Sequence, residues 1–170
     1  MSSTDQRALF PRHHVLTFCV IVLAVTAGCV SFGESSADVT VENTEPTAYQ
    51  MSVYVFTESV GAGNVTYQVT NGTGAQFTVG GIQLETEGPY YNLSLGQKWN
   101  ATERHVSVPA NETTTASFTV WDSGDTVVYV FERPNGRVVQ TEFAECSGDS
   151  LSHTFVFSDR PENGYEMSCS

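Results

Sequence analysis

Ser150 sits in the span Gly148-Asp149-Ser150-Leu151, with His153 three residues further on. A serine near a histidine is the minimum for nucleophilic hydrolysis: the imidazole takes the hydroxyl proton while the oxygen attacks an acyl carbon. His105, Cys146, His153 and Met167 supply two imidazoles, a thiolate and a thioether, the donor set of a blue-copper centre. Asp122-Ser123-Gly124-Asp125 brings two carboxylates into one short span, and hard cations take oxygen ligands of that kind. Tyr90-Tyr91, Trp99, Trp121 and Phe131 could line a saccharide- or peptide-binding surface if they face outward.

Context weakens each of these. Gly148-Asp149-Ser150-Leu151 resembles the nucleophile motif of the GDSL hydrolases, whose motif stands near the start of an α/β chain and whose Asp-x-x-His stands near the end. Here the span follows Cys146, close to the C-terminus, and no Asp-x-x-His accompanies His153. A polar turn between two strands is the better reading. Cupredoxins gather their Cys, His and Met ligands on one short loop, whereas six residues separate Cys146 from His153 and thirteen separate His153 from Met167. The acidic span lacks the third acidic position and the distal Glu of a calcium loop, and its composition is that of a tight turn. Alternation assigns most of the aromatic residues to a core. No catalytic residue, no metal ligand and no cofactor is therefore assigned, and the reading is of a protein that is not an enzyme.

The elements that would position these residues are strands. From Asp38 onward short alternating runs of Val, Thr, Tyr and Phe are broken by Gly, Asn, Asp and Pro, and no stretch has helical spacing. Residues 39–43, 48–57, 64–70, 75–79, 90–95, 104–108, 116–120, 126–133, 137–143, 152–157 and 164–169 read as strands or strand candidates. Tyr49, Met51, Val53 and Val55 would share one face, as would Val65, Tyr67 and Val69. Asn71-Gly72 can supply the positive φ angles of a tight hairpin, and Pro134-Asn135-Gly136 is the strongest reversal signal. Residues 82–99 are the least regular part. The pattern predicts an all-β domain over residues 39–170, an Ig-like or cupredoxin-like β-sandwich of about seven to nine antiparallel strands, with a closed barrel as the main rival.

Ahead of the domain stands an export leader. Arg7, Arg12, His13 and His14 form a basic start, and residues 15–28 follow without a charge. That apolar run is shorter than the roughly 20 residues a spanning helix needs, so it fits the h-region of a signal peptide better than a retained helix. Its ending, Thr26-Ala27-Gly28-Cys29, resembles the lipobox of prokaryotic lipoproteins, with Thr26 where Leu or another aliphatic residue is usual. The resemblance implies a signal peptide over residues 1–28, a lipid on Cys29, and localisation at the cell membrane on its extracellular face. Residues 29–38, rich in Ser, Gly and acidic side chains, read as a flexible tether.

Charge narrows the partners. The 170 residues carry seven Lys and Arg against nineteen Asp and Glu, a net charge of -12. After Cys29 the only basic residues are Lys98, Arg104, Arg133, Arg137 and Arg160. This balance excludes nucleic acid and docking on anionic headgroups. An envelope protein or glycan partner remains.

Of the four cysteines, Cys19 leaves with the leader and Cys29 takes lipid, so Cys146 and Cys169 remain as a pair. In an oxidising compartment they would form a disulfide; free thiols or metal ligation are the alternatives. Closing that loop is worth roughly 3.4 kcal/mol in the chain-entropy model. Asn64, Asn71, Asn92, Asn100 and Asn111 each open an N-x-S/T frame. Chance would give about two such frames in a chain this rich in Ser and Thr. The excess is expected of an exported, glycosylated domain.

Val41-Glu42-Asn43 leading to Ser52-Val53-Tyr54-Val55, the stretch Val106-Ser107-Val108-Pro109-Ala110-Asn111-Glu112-Thr113, and the late Cys146 and Cys169 resemble small haloarchaeal lipoproteins with an Ig-like sandwich. The acidic excess with almost no Lys is similar to that of extracellular proteins from salt-loving archaea. The resemblance implies an Ig-like fold and an envelope location. It brings no catalytic residue.

Overall fold

The structure is a computed structural model describing residues 35–57, 59–81, 89–96, 99–158 and 164–170. The expected leader, Cys29 and residues 30–34 of the expected tether lie outside the described residues.

Among the described residues eleven strands form three sheets. The first sheet has the order β11-β10-β1-β7, from β1 (Ser36–Asn43), β7 (Thr113–Phe118), β10 (Ser150–Phe157) and β11 (Gly164–Cys169). The middle sheet has the order β6-β2-β8-β9, from β2 (Tyr49–Phe56), β6 (Ala101–Val108), β8 (Thr126–Glu132) and β9 (Val138–Glu145). The third has the order β4-β3-β5, from β3 (Thr66–Thr70), β4 (Gln76–Gly80) and β5 (Tyr91–Leu95). Apart from a short 3-10 turn at Ala62–Asn64, no helix occurs among the described residues.

The all-β expectation holds, with three differences of detail. The described residues hold eleven strands rather than seven to nine. One pairing is parallel: β1 lies beside β10 in parallel, Val39 opposite His153, and beside β7 antiparallel. The first strand also begins at Ser36, within the span read as tether, because Ala37 is fully buried and anchors the strand's start.

Stacking follows from the side-chain pattern. β1 alternates strictly, placing Ala37, Val39 and Val41 inward and Asp38 and Glu42 in solvent. Such a strand has one dry face. The middle strands differ, since β2 (YQMSVYVF) and β8 (TVVYVFE) are buried on both sides. Tyr49, Met51, Val53, Val55, Val127, Tyr129 and Phe131 meet Val39, Val41, Leu151, Phe155 and Phe157 of the first sheet in one core. Tyr54, Phe56, Val128 and Val130 meet Tyr67, Val69, Val79 and Leu93 of the third sheet in a second core. The middle sheet is thus packed on both faces.

Two connections lock the layers. Cys146, just past β9 in the middle sheet, is bonded to Cys169 at the end of β11 in the first sheet, with Cα atoms 5.7 Å apart. The bond therefore staples two sheets across the first core. On the other side β5 is tied to the β8–β9 turn: the amide of Asn92 donates to the carbonyl of Gly136, and that of Val138 to Tyr90, at 2.8 Å each. The Leu93 amide also donates to Glu132 Oε1 at 2.9 Å. Burial raises the pKa of that carboxyl, opposed by the Leu93 amide.

Candidate functional site

Strand geometry keeps Ser150 and His153 apart. Side chains alternate along a strand, so residues three apart project to opposite faces. Ser150 Oγ is within 2.8 Å of the Ser170 hydroxyl, while His153 points into the first core and is 1% exposed. The nucleophile and base are not assembled.

The copper donors are likewise dispersed. Cys146 is held in the disulfide and offers no thiolate. His105 belongs to β6, with its Nδ1 2.9 Å from Ser52 Oγ and its Nε2 3.6 Å from Glu103. Ser52 has the parity of Tyr54 and Phe56, so His105 and His153 lie on opposite faces of the middle sheet. Among the described residues no three His, Cys, Asp or Glu side chains gather as a metal site.

Asp122 to Asp125 form a turn. The Asp125 amide donates to the Asp122 carbonyl, and the Asp122 amide donates back to Asp125 Oδ2, both at 3.0 Å. Gly124 takes the positive φ of 89° that the reversal requires. Trp121 is fully buried above it and donates its indole N–H to the Asp125 carbonyl at 3.2 Å. Tyr90 and Phe131 are buried as well, and Trp99 packs edge-on to Phe56 with ring centroids 5.9 Å apart. These aromatics build cores.

The first core contains a polar arrangement that the sequence did not mark. His153 stacks on Phe155 at 4.5 Å and meets Tyr129 edge-on at 5.1 Å. Both its ring nitrogens and Tyr129 Oη are buried without a hydrogen-bond partner. Desolvation pushes the His153 imidazole down to about 4, so at neutral pH it is an uncharged ring in an aromatic cluster. Beside it on β11, Tyr165 and Met167 are 58% and 46% exposed, because that edge strand is not fully covered. The signal for this was the buried parity of His153, shared with Leu151 and Phe155.

The outer face of the third sheet is the other feature. Gln68 and Thr70 of β3, Gln76 and Thr78 of β4, and Asn92 and Ser94 of β5 lie on it, with Gln68 directly opposite Thr78 and Ser94. Gln68 Nε2 donates to Thr78 Oγ1 at 2.7 Å. No strand of this sheet contains a charged residue. The first sheet, by contrast, shows Asp38, Glu42 and Glu166 to solvent. A cavity of about 520 Å³ lies on the neutral face, lined by Gln68, Val69, Thr70, Gln76, Asn92 and Ser94.

Of the N-x-S/T asparagines, Asn64, Asn92, Asn100 and Asn111 are exposed and Asn71 is half-buried. Asn71 caps the β3–β4 turn, its Oδ1 accepting from the Thr73 amide, the Thr73 hydroxyl and the Ala75 amide. The turn is longer than a two-residue hairpin: the positive φ falls at Gly74, not at Asn71-Gly72. The geometric reason is this triple acceptor role, which closes a wider loop.

A family model described as "Halobacterial Ig domain protein" matches residues 9–170. The chain belongs to this family. No curated protein matches the halobacterial Ig domain in a sequence search. Two solved structures, "Trapped Toxin" and "Crystal structure of the human-specific toxin intermedilysin", are similar to 79% of this Ig domain chain at 8% identity, with TM-scores of 0.32 and 0.31. The chain spans about a quarter of each, 24% and 23%. A likeness at that level says nothing about what the Ig domain does.

Proposed function

We propose that this halobacterial Ig domain is a non-catalytic module held on the outer face of the cell membrane by a lipid on Cys29, with a structural or recognition role at the envelope. The observation that carries the reading is the Cys146–Cys169 bond. Disulfides persist in oxidising compartments, so a bond stapling two sheets fits a domain that works outside the cytosol. The apolar run of residues 15–28 ending at Cys29 supplies a route out and a thiol for attachment. The acidic balance keeps the body of the domain off anionic headgroups, leaving the lipid as its hold on the bilayer. The partner is an envelope protein or glycan, met by the surface rather than by a closed pocket.

The test is the Cys29→Ser variant expressed in an exporting archaeal host. The wild type should partition with the membrane fraction, and the variant should appear in the medium or keep its leader uncut. A variant processed and retained in the membrane like the wild type would defeat the lipid anchor.

A further inference from the structure

We propose that Asn92 carries an N-linked oligosaccharide that lies across the neutral face of β3, β4 and β5. This rests on the reading that the domain is exported. Asn92 and Ser94, the first and third residues of one N-x-S/T frame, are both exposed and both line the cavity on that face, Asn92 standing at a β-bulge where Thr70 pairs with Tyr91. Asn92 has a φ of 50°, and its Oδ1 packs against Gly136, occupying the space a side chain there would take. The amide oxygen is thereby turned to the β8–β9 reversal, and the nitrogen lies on the other side of the planar amide.

The neighbouring chemistry suits a sugar. In a chain of net charge -12, the three strands beside Asn92 carry amide and hydroxyl side chains and no charge, with Arg137 of the β8–β9 reversal at their edge, bridged to Tyr91. Amides and hydroxyls both donate and accept, as sugar hydroxyls do, so Gln68, Thr70, Gln76 and Thr78 can pair with a saccharide without burying an ion. The adjoining cavity of about 520 Å³ has room for one to two sugar rings on the scale of small-ligand sites. Asn92 lines that cavity, which places the attachment point at its rim.

The modification is a glycosyl transfer from a phosphate-activated oligosaccharide. A bond forms between Asn92 Nδ2 and the anomeric carbon, and the bond from that carbon to the phosphate oxygen breaks. The phosphate leaves with the electron pair, and the amide proton is lost to a base of the host's transferase.

The experiment is glycopeptide mass spectrometry on the full chain purified from an exporting, N-glycosylating archaeal host, followed by timed glycosidase digestion of the folded protein. Glycan mass is expected on the peptide containing Asn92, lost in Asn92→Gln. The Asn92 glycan should be released several-fold more slowly than a glycan on a turn site such as Asn111, and Gln68→Ala with Thr78→Ala should erase that difference. A bare Asn92 beside an occupied Asn111 overturns the proposal and leaves export standing. Equal release rates at the two sites overturn the packing of the sugar on the sheet. A saccharide retained on the face without a covalent bond to Asn92 overturns the attachment. A chain recovered from the cytosol with every N-x-S/T site bare overturns the export reading itself.

Discussion

The two faces of the middle sheet differ in kind. Toward the first sheet, Tyr129, Phe131, Phe155 and Phe157 form a chain of rings at centroid distances of 4.8 to 5.2 Å, in a core that also holds the disulfide-bonded Cys146. Toward the third sheet the core is smaller, has no crosslink, and is roofed by strands whose outer side chains are neutral amides and hydroxyls. The same sheet therefore has one side crosslinked and packed with rings and another whose covering layer presents uncharged polar strands outward. Stability and surface chemistry are assigned to different layers, so changes on one side should be separable from changes on the other.

The largest expected effect separates the cores. Phe155→Ala removes a ring touching Tyr129, Phe131 and His153, and should cost about 3–5 kcal/mol in urea unfolding. Val69→Ala in the second core should cost less, roughly 2 kcal/mol. Equal losses would erase the contrast. Reduction of Cys146–Cys169 comes next, with an expected loss of roughly 3.4 kcal/mol and a lower Tm in reductant. An unchanged Tm would remove the staple from the explanation.

Acid sharpens the comparison, because His153 lies in one core and no histidine lies in the other. Its imidazole titrates at about 4 folded and 6.5 in the reference state, so the unfolded chain binds the proton first. Stability should therefore fall as pH drops from 6.5 toward 4, by roughly 3 kcal/mol in all. Glu132, whose folded pKa is raised, acts with the opposite sign, since the folded state takes up its proton first. The difference in pH slope between wild type and His153→Phe isolates the histidine. Identical slopes would mean that the ring does not resist protonation in the fold.

The smallest effect is on the roof. Gln68→Ala should change stability by no more than about 0.5 kcal/mol, since the side chain is exposed and its bond to Thr78 runs across the open face. A larger loss would show that the neutral face is structural.

Much of the first layer was legible in the sequence. Alternation in Val39, Val41, Leu151 and Phe155 marks one-sided burial, and residues 164–169 were read as the strand that the structure contains. The second core was signalled more faintly, by the unbroken apolar runs Val53-Tyr54-Val55-Phe56 and Val127-Val128-Tyr129-Val130-Phe131. Alternating strands have one dry face, whereas unbroken runs have two, and a pair of such strands requires a layer on each side. The parallel partnership of β1 and β10 left no local trace, because it joins residues more than a hundred positions apart. The burial of His153 was visible in its parity, but its lack of hydrogen-bond partners depends on which rings surround it. The neutral face was hidden for a related reason: its amides and hydroxyls come from three strands, and only the register brings them together.

The most direct measurement is the intact mass of the mature protein extracted from the membrane of an exporting archaeal host. The expected species starts at Cys29, carries a lipid, is two hydrogens lighter for the Cys146–Cys169 bond, and is heavier by at least one oligosaccharide. An unmodified chain of 170 residues with both sulfurs reduced would contradict the envelope assignment.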